Sequence, residues 1–198
     1  MNKPTIVFLF VLLGTTLGLI FVLTAPAPPE NQTIEWLDNP RNLARFNLES
    51  QMGAFDNRSL LGHWTIVLFG FLQCPDVCPT SLSELATLAN DLSEDSLDKE
   101  VRLVFVSVDP DRDTISDVSK YAKNFSRSIE GVTGHDDQLT QFSDSLGIQF
   151  KMSPDRKNYS VAHSTTYSII DPQGFLSGRF RPGFSASELV TDLAAILR

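Results

Sequence analysis

The stretch TIVLFGFLQCPDVCPTSL, residues 65–82, joins an uninterrupted apolar run to two cysteines and then to a helical pattern. Its first part, TIVLFGF (65–71), lacks the polar–apolar alternation of a half-exposed strand, which is typical of a strand buried on both faces. Leucines then recur at positions 82, 85, 88 and 92, the spacing of one helical stripe. Pro79 suits the first turn of that helix, where a missing N–H costs nothing. The stretch therefore predicts a buried strand, a cysteine-bearing turn and a helix from Pro79 to Asp91.

The rest of the chain continues this strand–helix order. A second continuous apolar run, VRLVFVSVD (101–109), predicts another buried strand. The other predicted elements are a short strand or hairpin between 45 and 53, helices at 115–125, 136–146 and 187–197, and a hairpin made of 167–171 and 174–180. Strand, helix, strand, helix, hairpin and helix is the order of a thioredoxin-like α/β domain. In that layout Cys74 lies at the end of the central strand, where open α/β sheets tend to hold ligands.

The N-terminal segment Ile6–Leu23 reads IVFLFVLLGTTLGLIFVL and carries no charge. At about 1.5 Å per residue it nearly spans the roughly 30 Å core of a bilayer. It exceeds the apolar core of most cleaved signal peptides, about 7–15 residues, so an uncleaved single-pass anchor is favoured over a signal peptide. Lys3 precedes the segment, and no Lys or Arg follows until Arg41. The positive-inside rule therefore places the N-terminus in the cytoplasm and the rest of the chain outside.

These features divide the chain into three parts. Residues 1–24 are the predicted membrane anchor, residues 25–40 a proline-rich tether, and residues 41–198 the thioredoxin-like domain. The chain has 16 Lys and Arg against 24 Asp and Glu, a net charge of −8. This acidic balance disfavours nucleic acid or an anionic membrane surface as a partner, and suits either simple solubility or a basic partner protein.

Cys74 and Cys78, the two cysteines of the chain, are separated by three residues. A disulfide between them would close too short a loop to stabilise the fold by much, which disfavours a structural role. A redox role remains an alternative for the two cysteines, because the start of a helix lowers the pKa of a thiol. The usual oxidoreductase spacing, however, has two residues between the cysteines instead of three. Metal binding is the other alternative for this pair. Positions i and i+4 point both sulfurs to one side of a helix, and two thiolates favour Cu(I) or zinc.

A metal held by two cysteines needs a third ligand, and the chain has three histidines. His63 precedes a strand in GHW and is expected to be a turn residue. His135 follows GVTG and is expected in a loop. His163, in VAHSTTYSII, comes just before a strand-like apolar run and is the candidate ligand. The alternative for His163 is a hydrogen-bonded histidine of the core or of a strand edge.

Three aspartates in DPDRD, Asp109, Asp111 and Asp113, have the spacing that opens an EF-hand calcium loop. However, the glycine required at the sixth position of such a loop is Thr114 here, and the glutamate at the twelfth is Lys120. Calcium is therefore not expected. These carboxylates are expected to cap a helix or to fix a loop.

Four segments resemble the Sco/SenC family in their order and spacing. They are VLFGFLQCPDVCPTSL, VFVSVDPDRDT, GVTG and VAHSTTYSIIDPQG. Members of that family are membrane-tethered, thioredoxin-fold copper proteins that help to assemble the CuA site of cytochrome c oxidase. The resemblance covers residues 41–198, and the anchor and tether match as well. It implies that Cys74, Cys78 and His163 bind one copper ion, as Cu(I) or Cu(II), and that the domain lies in the periplasm of a bacterium, anchored in its inner membrane.

Three departures from the family pattern accompany the resemblance. Gln73 stands where threonine is frequent, Ala162 stands before His163 where aspartate is common, and Ile115 follows DRDT where proline is frequent. The implied ligands are retained. The departures therefore bear on copper affinity, redox poise and the identity of the target.

Two functions follow for this chain. A copper metallochaperone, without turnover, would use Cys74, Cys78 and His163 to deliver copper to the CuA-bearing subunit of cytochrome c oxidase or to another exported cuproprotein. A thiol–disulfide oxidoreductase that reduces the cysteines of an apo-metal site would use Cys74 and Cys78, and neither His163 nor a metal. The chaperone is the favoured hypothesis.

Overall fold

The structure, a computed structural model, describes residues 33–152, 161–163 and 165–197. The predicted membrane anchor lies outside these residues, as does the predicted tether up to Gln32. Within the described ranges, no helix has both the length and the hydropathy needed to cross a bilayer. Thr33–Arg198 is one compact unit, to which all the elements below belong.

The described part of this unit contains both strands and helices. The strands are β1 (Glu35–Asn42), β2 (Asn47–Ser50), β3 (Gly53–Asp56), β4 (Trp64–Gly70), β5 (Val101–Ser107), β6 (Ile129–Thr133), β7 (Phe150–Met152), β8 (Val161–His163), β9 (Tyr167–Ile170) and β10 (Phe175–Phe180). The α-helices are α1 (Val77–Glu94), α2 (Ile115–Phe125), α3 (Asp136–Ser145) and α4 (Ala186–Leu197), and a short 3-10 helix, Asn57–Leu60, follows β3.

A mixed sheet runs through the unit in the order β1-β10-β9-β4-β5-β6-β2-β3. Its central strands β4, β5 and β6 are parallel, and β9 joins β4 antiparallel. This arrangement confirms the predicted mixed α/β, thioredoxin-like fold. Gly70 is paired with Ser107, so β4 and β5 end side by side. The segments that follow these two strands therefore leave the sheet at the same edge, where α/β folds place their sites.

Apolar side chains cover both faces of the sheet. On one face the predicted leucine stripe of α1 is buried together with residues of α2 and α4. On the other face, the ring of Phe142 in α3 lies 4.2 Å from that of Phe46 and 5.7 Å from that of Phe69, measured between centroids. Cys78 belongs to this second cluster, and Cys74 packs against it. The cysteine-bearing turn is therefore attached to a packed core.

The sheet begins earlier in the chain than the predicted domain boundary at residue 41. β1 starts at Glu35, inside the segment predicted to be a tether. It contains Pro40 and lies at one edge of the sheet, with a register shift between Trp36 and Arg41. An edge strand tolerates proline because its outer N–H groups need no partner. Because β1 contains proline and charged residues, its sequence lacks the hydrophobic pattern from which a strand is predicted.

Two further parts of the fold are missing from the predicted elements. β6 includes the first three residues of GVTG, where the sequence alone predicts no strand, and β7 and β8 form a separate antiparallel pair. A β-carbon at Gly131, in the middle of β6, would lie 2.7 Å from the Ser119 Cα of α2. Glycine is thus required at this position for α2 to pack closely on β6. In the sequence alone, the same glycine indicates a turn.

Candidate metal centre

The two cysteines lie at the junction of β4 and α1. Cys74 is in residues 71–76, here called the cysteine loop, and Cys78 is in the first turn of α1, which begins at Val77. The cysteines therefore do not share one regular helix, which the i, i+4 interpretation assumes. Asp76 occupies the N-cap position of α1 without a side-chain capping bond.

The cysteines are nevertheless in direct contact. The Cys78 N–H donates a hydrogen bond to the Cys74 sulfur over 3.4 Å, and the Cys74 N–H donates to the Phe71 carbonyl over 3.3 Å. Neither cysteine is in a disulfide; Cys74 is half-buried and Cys78 is buried. The turn of the chain thus brings the Cys74 sulfur back against the start of α1, beside the second cysteine.

Burial raises the pKa of the Cys78 thiol to about 12, and the interaction with Cys74 acts in the same direction. Cys78 therefore keeps its proton near neutral pH when no metal is bound. A metal ion binds the thiolate, so binding at this residue must release the proton.

Gly70, the last residue of β4, allows α1 to approach the sheet at this point. A β-carbon at position 70 would lie 2.8 Å from the Cys78 sulfur and 2.7 Å from Cε2 of Phe105. Neither distance is compatible with van der Waals contact. The space that Cys78 fills thus depends on the absence of a side chain at Gly70.

His163 is the last residue of β8, and the backbone pairing places it opposite Phe150 of β7. Phe150 packs against the same core cluster as the two cysteines. The His163 side chain lies outside the described part of the structure, so its role as a ligand stays a prediction.

The other two histidines are exposed. Nδ1 of His63 lies 3.4 Å from the Leu61 carbonyl oxygen, and His135 is the N-cap residue of α3. Among the side chains that the structure describes, His, Cys, Asp and Glu form no group of three or more that could hold a metal ion.

Asp109 and Asp113 of DPDRD fix a loop, as predicted, but neither caps the helix that follows. Thr114 caps α2 by accepting a hydrogen bond from the Asp117 N–H. Asp113 instead accepts a hydrogen bond from the Leu72 N–H over 3.0 Å, inside the cysteine loop. Sequence reasoning missed this target because 41 positions separate the two residues.

The donor atoms at this junction suit a soft metal ion. Two adjacent thiol sulfurs favour Cu(I), zinc or an iron–sulfur cluster, and an imidazole would extend the choice to Cu(II). Since Cys78 is buried, one side of such an ion would face the core while the half-buried Cys74 lies toward solvent.

Comparison with known proteins gives consistent matches over most of the chain. The family model described as SCO1/SenC matches residues 37–198. An SCO2-like protein of Rickettsia typhi is 31% identical over 192 residues, which is 95% of this chain and 94% of the relative.

Solved structures agree with this match. Apo Sco1 of Thermus thermophilus has a TM-score of 0.75 and 29% identity, covering 86% of this chain and 99% of that chain. ScoI of Bradyrhizobium japonicum, solved with copper bound, has a TM-score of 0.69 and 31% identity, covering 78% of this chain and 98% of that chain. With the family model matched from residue 37 to residue 198, the chain belongs to the SCO1/SenC family.

Proposed function

We propose that this protein is a copper metallochaperone that binds one copper ion through Cys74, Cys78 and His163. The observation that carries the proposal is the contact of Cys78 with the Cys74 sulfur at the carboxyl end of the central strands. Two soft donors are side by side at the place where this fold holds ligands. The relative from Bradyrhizobium japonicum, with the same fold, has copper bound in its structure.

Each proposed ligand contributes differently. The thiolates of Cys74 and Cys78 would hold Cu(I), and the imidazole of His163 would make Cu(II) stable as well. A site that tolerates both oxidation states can accept the ion, keep it and pass it on. Because the pKa of the Cys78 thiol is raised, loading would expel a proton from it.

The proposed recipient is the CuA-bearing subunit of cytochrome c oxidase, or another exported cuproprotein. The segment Ile6–Leu23 would anchor the protein in the inner membrane of a bacterium, with the compact unit in the periplasm. The acidic net charge of −8 suits a recipient with a basic docking surface.

A second candidate is a thiol–disulfide reductase, favoured by the contact between the two cysteines, which form no disulfide. One thiolate would attack a target disulfide, and the other would displace the target to leave Cys74–Cys78 oxidised and the target as a dithiol. This activity requires neither His163 nor a metal. The same pair of cysteines is able to reduce a recipient and then load it.

A copper titration of the reduced protein beside His163→Ala tests the first proposal. We expect one copper per chain, and a thiolate-to-Cu(II) absorption band that is lost in His163→Ala. The matched control is His135→Ala, which removes an exposed histidine at the start of α3 and should leave the band intact.

Two results would count against the chaperone. The first is a protein that takes up no tightly bound copper, and the second is a Cu(II) band that is indifferent to His163. A His163→Ala protein that still reduces a disulfide substrate at the wild-type rate would then favour the reductase.

A further inference from the structure

Two loops leave the sheet side by side at the cysteines. β4 and β5 end at the paired residues Gly70 and Ser107, and the Val108 N–H donates a hydrogen bond to the Gly70 carbonyl over 2.9 Å. The cysteine loop follows β4. The segment Asp109–Asp113, here called the DPDRD loop, follows β5. The two loops are therefore neighbours from their first residues.

Asp113 joins the two loops through a buried carboxylate. Its Oδ2 accepts a hydrogen bond from the Leu72 N–H over 3.0 Å and another from the Ser107 hydroxyl over 2.5 Å. The exposed fraction of Asp113 is 2%. Leu72 lies two positions before Cys74, so this bond fixes the backbone that leads directly into the first cysteine.

Arg112 makes the second connection between the loops. Asp109, fully buried, forms an ion pair with its guanidinium. The same guanidinium donates a hydrogen bond to Oε1 of Gln73 over 3.1 Å and lies 5.9 Å from the Phe71 ring centroid, within cation–π range. The DPDRD loop thus contacts each of the three residues that precede Cys74.

We propose that Asp113 and Arg112 are positioning residues for the cysteine pair, holding residues 71–73 so that the Cys74 sulfur stays against Cys78. The inference deepens the proposed copper function and rests on it where it concerns the metal. The effect on the two thiols occurs in the metal-free protein and does not depend on copper binding.

Loss of these contacts would weaken two measurable equilibria of the cysteine pair. Copper binding and disulfide formation both require the two sulfurs side by side, and a loop that is already ordered loses less entropy in either process. Removing the Asp113 carboxylate leaves the half-buried Leu72 N–H and the buried Ser107 hydroxyl without this acceptor, and it loosens the loop. We expect both equilibria to weaken in the same direction by about tenfold, the size of the lost hydrogen bond from the Leu72 N–H.

Asp113→Ala tests this with two measurements. The first is the equilibrium of the metal-free protein with glutathione, in which Cys74 and Cys78 lose two electrons and two protons as glutathione disulfide becomes two thiols. The second is Cu(I) affinity, measured by competition with a colorimetric chelator. Asp113→Asn retains an acceptor for the Leu72 N–H without the charge, and we expect it to restore values close to those of the wild type.

Asp171→Ala is the matched control. Asp171 is also buried, and it accepts hydrogen bonds from the Phe175 N–H over 2.9 Å and the Ser177 hydroxyl over 2.6 Å, in the turn between β9 and β10. It makes the same kinds of contact as Asp113 in another loop. We expect Asp171→Ala to lower stability and to leave both equilibria unchanged.

The outcomes separate this inference from the proposed function. A folded Asp113→Ala protein with wild-type values, or an equal loss in Asp171→Ala, would overturn the inference. If Asp113→Ala does not fold, Gln73→Ala at an exposed position removes the contact with Arg112 and should shift both equilibria less but in the same direction. A wild-type protein without copper affinity would refute the chaperone, while the glutathione equilibrium would still decide the positioning role.

Discussion

The two thiols of the site differ in their access to water and in their expected reactivity. Cys78 is 1% exposed and its pKa is raised to about 12, whereas Cys74 is half-buried. Only a thiolate reacts rapidly with an alkylating agent. We therefore expect iodoacetamide at pH 8 to modify Cys74 and to leave Cys78 intact, as measured by mass spectrometry of the digested protein. Because the pKa is raised, Cys78 should stay protected as the pH passes its ordinary value of 9.0.

Protein unfolded in urea is the control for this experiment, since Cys78 then regains its ordinary pKa and both cysteines should be modified. Equal modification of Cys74 and Cys78 in the folded protein at pH 8 would contradict the prediction. It would also mean that Cys78 does not hold its proton more tightly than an ordinary cysteine does.

At the level of single residues, the sequence is sufficient to find the cysteines but insufficient to find what holds them. Cys74 and Cys78 are recognisable because cysteine is rare in this chain and its chemistry is specific. The bond from the Leu72 N–H to Asp113 depends on the pairing of β4 with β5, which brings distant segments together. No local pattern contains that pairing.

Among the elements, the crossing of α1 over the end of β4 depends on Gly70. Gly70→Ala would place a β-carbon 2.8 Å from the Cys78 sulfur, so either the thiol or the Phe105 ring must move. We expect a loss of about 1–3 kcal/mol in the free energy of unfolding, typical of an overpacked core. We also expect a shifted thiolate-to-Cu(II) band, because one of the proposed ligands is displaced. Urea unfolding and absorption spectra provide the two measurements.

Gly131→Ala is the matched variant for this prediction. Its β-carbon would lie 2.7 Å from the Ser119 Cα, at the packing of α2 on β6, and it should destabilise the protein without altering the copper spectrum. A spectrum that changes equally in both variants would show that the band reports general loosening of the fold and not the position of Cys78.

The elements that the sequence predicts well are those whose burial repeats along the chain. Every residue of β4 after Trp64 is buried, and the leucine stripe of α1 is buried as well, so both give a strong pattern. β1 and the β7–β8 pair give none. Edge pairing and short strands are determined by partners elsewhere in the chain, and the hydrophobic periodicity of a segment does not report on them.

For the molecule as a whole, the proposed copper site would couple metal binding to the stability of the fold. The cysteine loop is joined to β5 through Asp113, and Cys78 is part of the core cluster that also contains Phe142 of α3. Phe150, the strand partner of His163, packs against the same cluster. A ligand that binds at this place therefore holds together segments from distant parts of the chain, and unfolding must release it.

Copper should accordingly raise the melting temperature Tm of the reduced protein. At a free copper concentration 1,000 times Kd, ligand linkage adds about 4 kcal/mol to the free energy of unfolding. For a chain of this size, about 2–4 °C per kcal/mol corresponds to a rise of roughly 8–16 °C, measured by calorimetry with and without Cu(I). Binding of copper to the thiols of the unfolded chain would lower this figure.

His135→Ala should keep the full rise, whereas Cys74→Ser and Cys78→Ser should lose most of it. A rise of wild-type size in the Cys78→Ser variant would place the stabilising copper at another site and remove the physical basis of the proposed delivery.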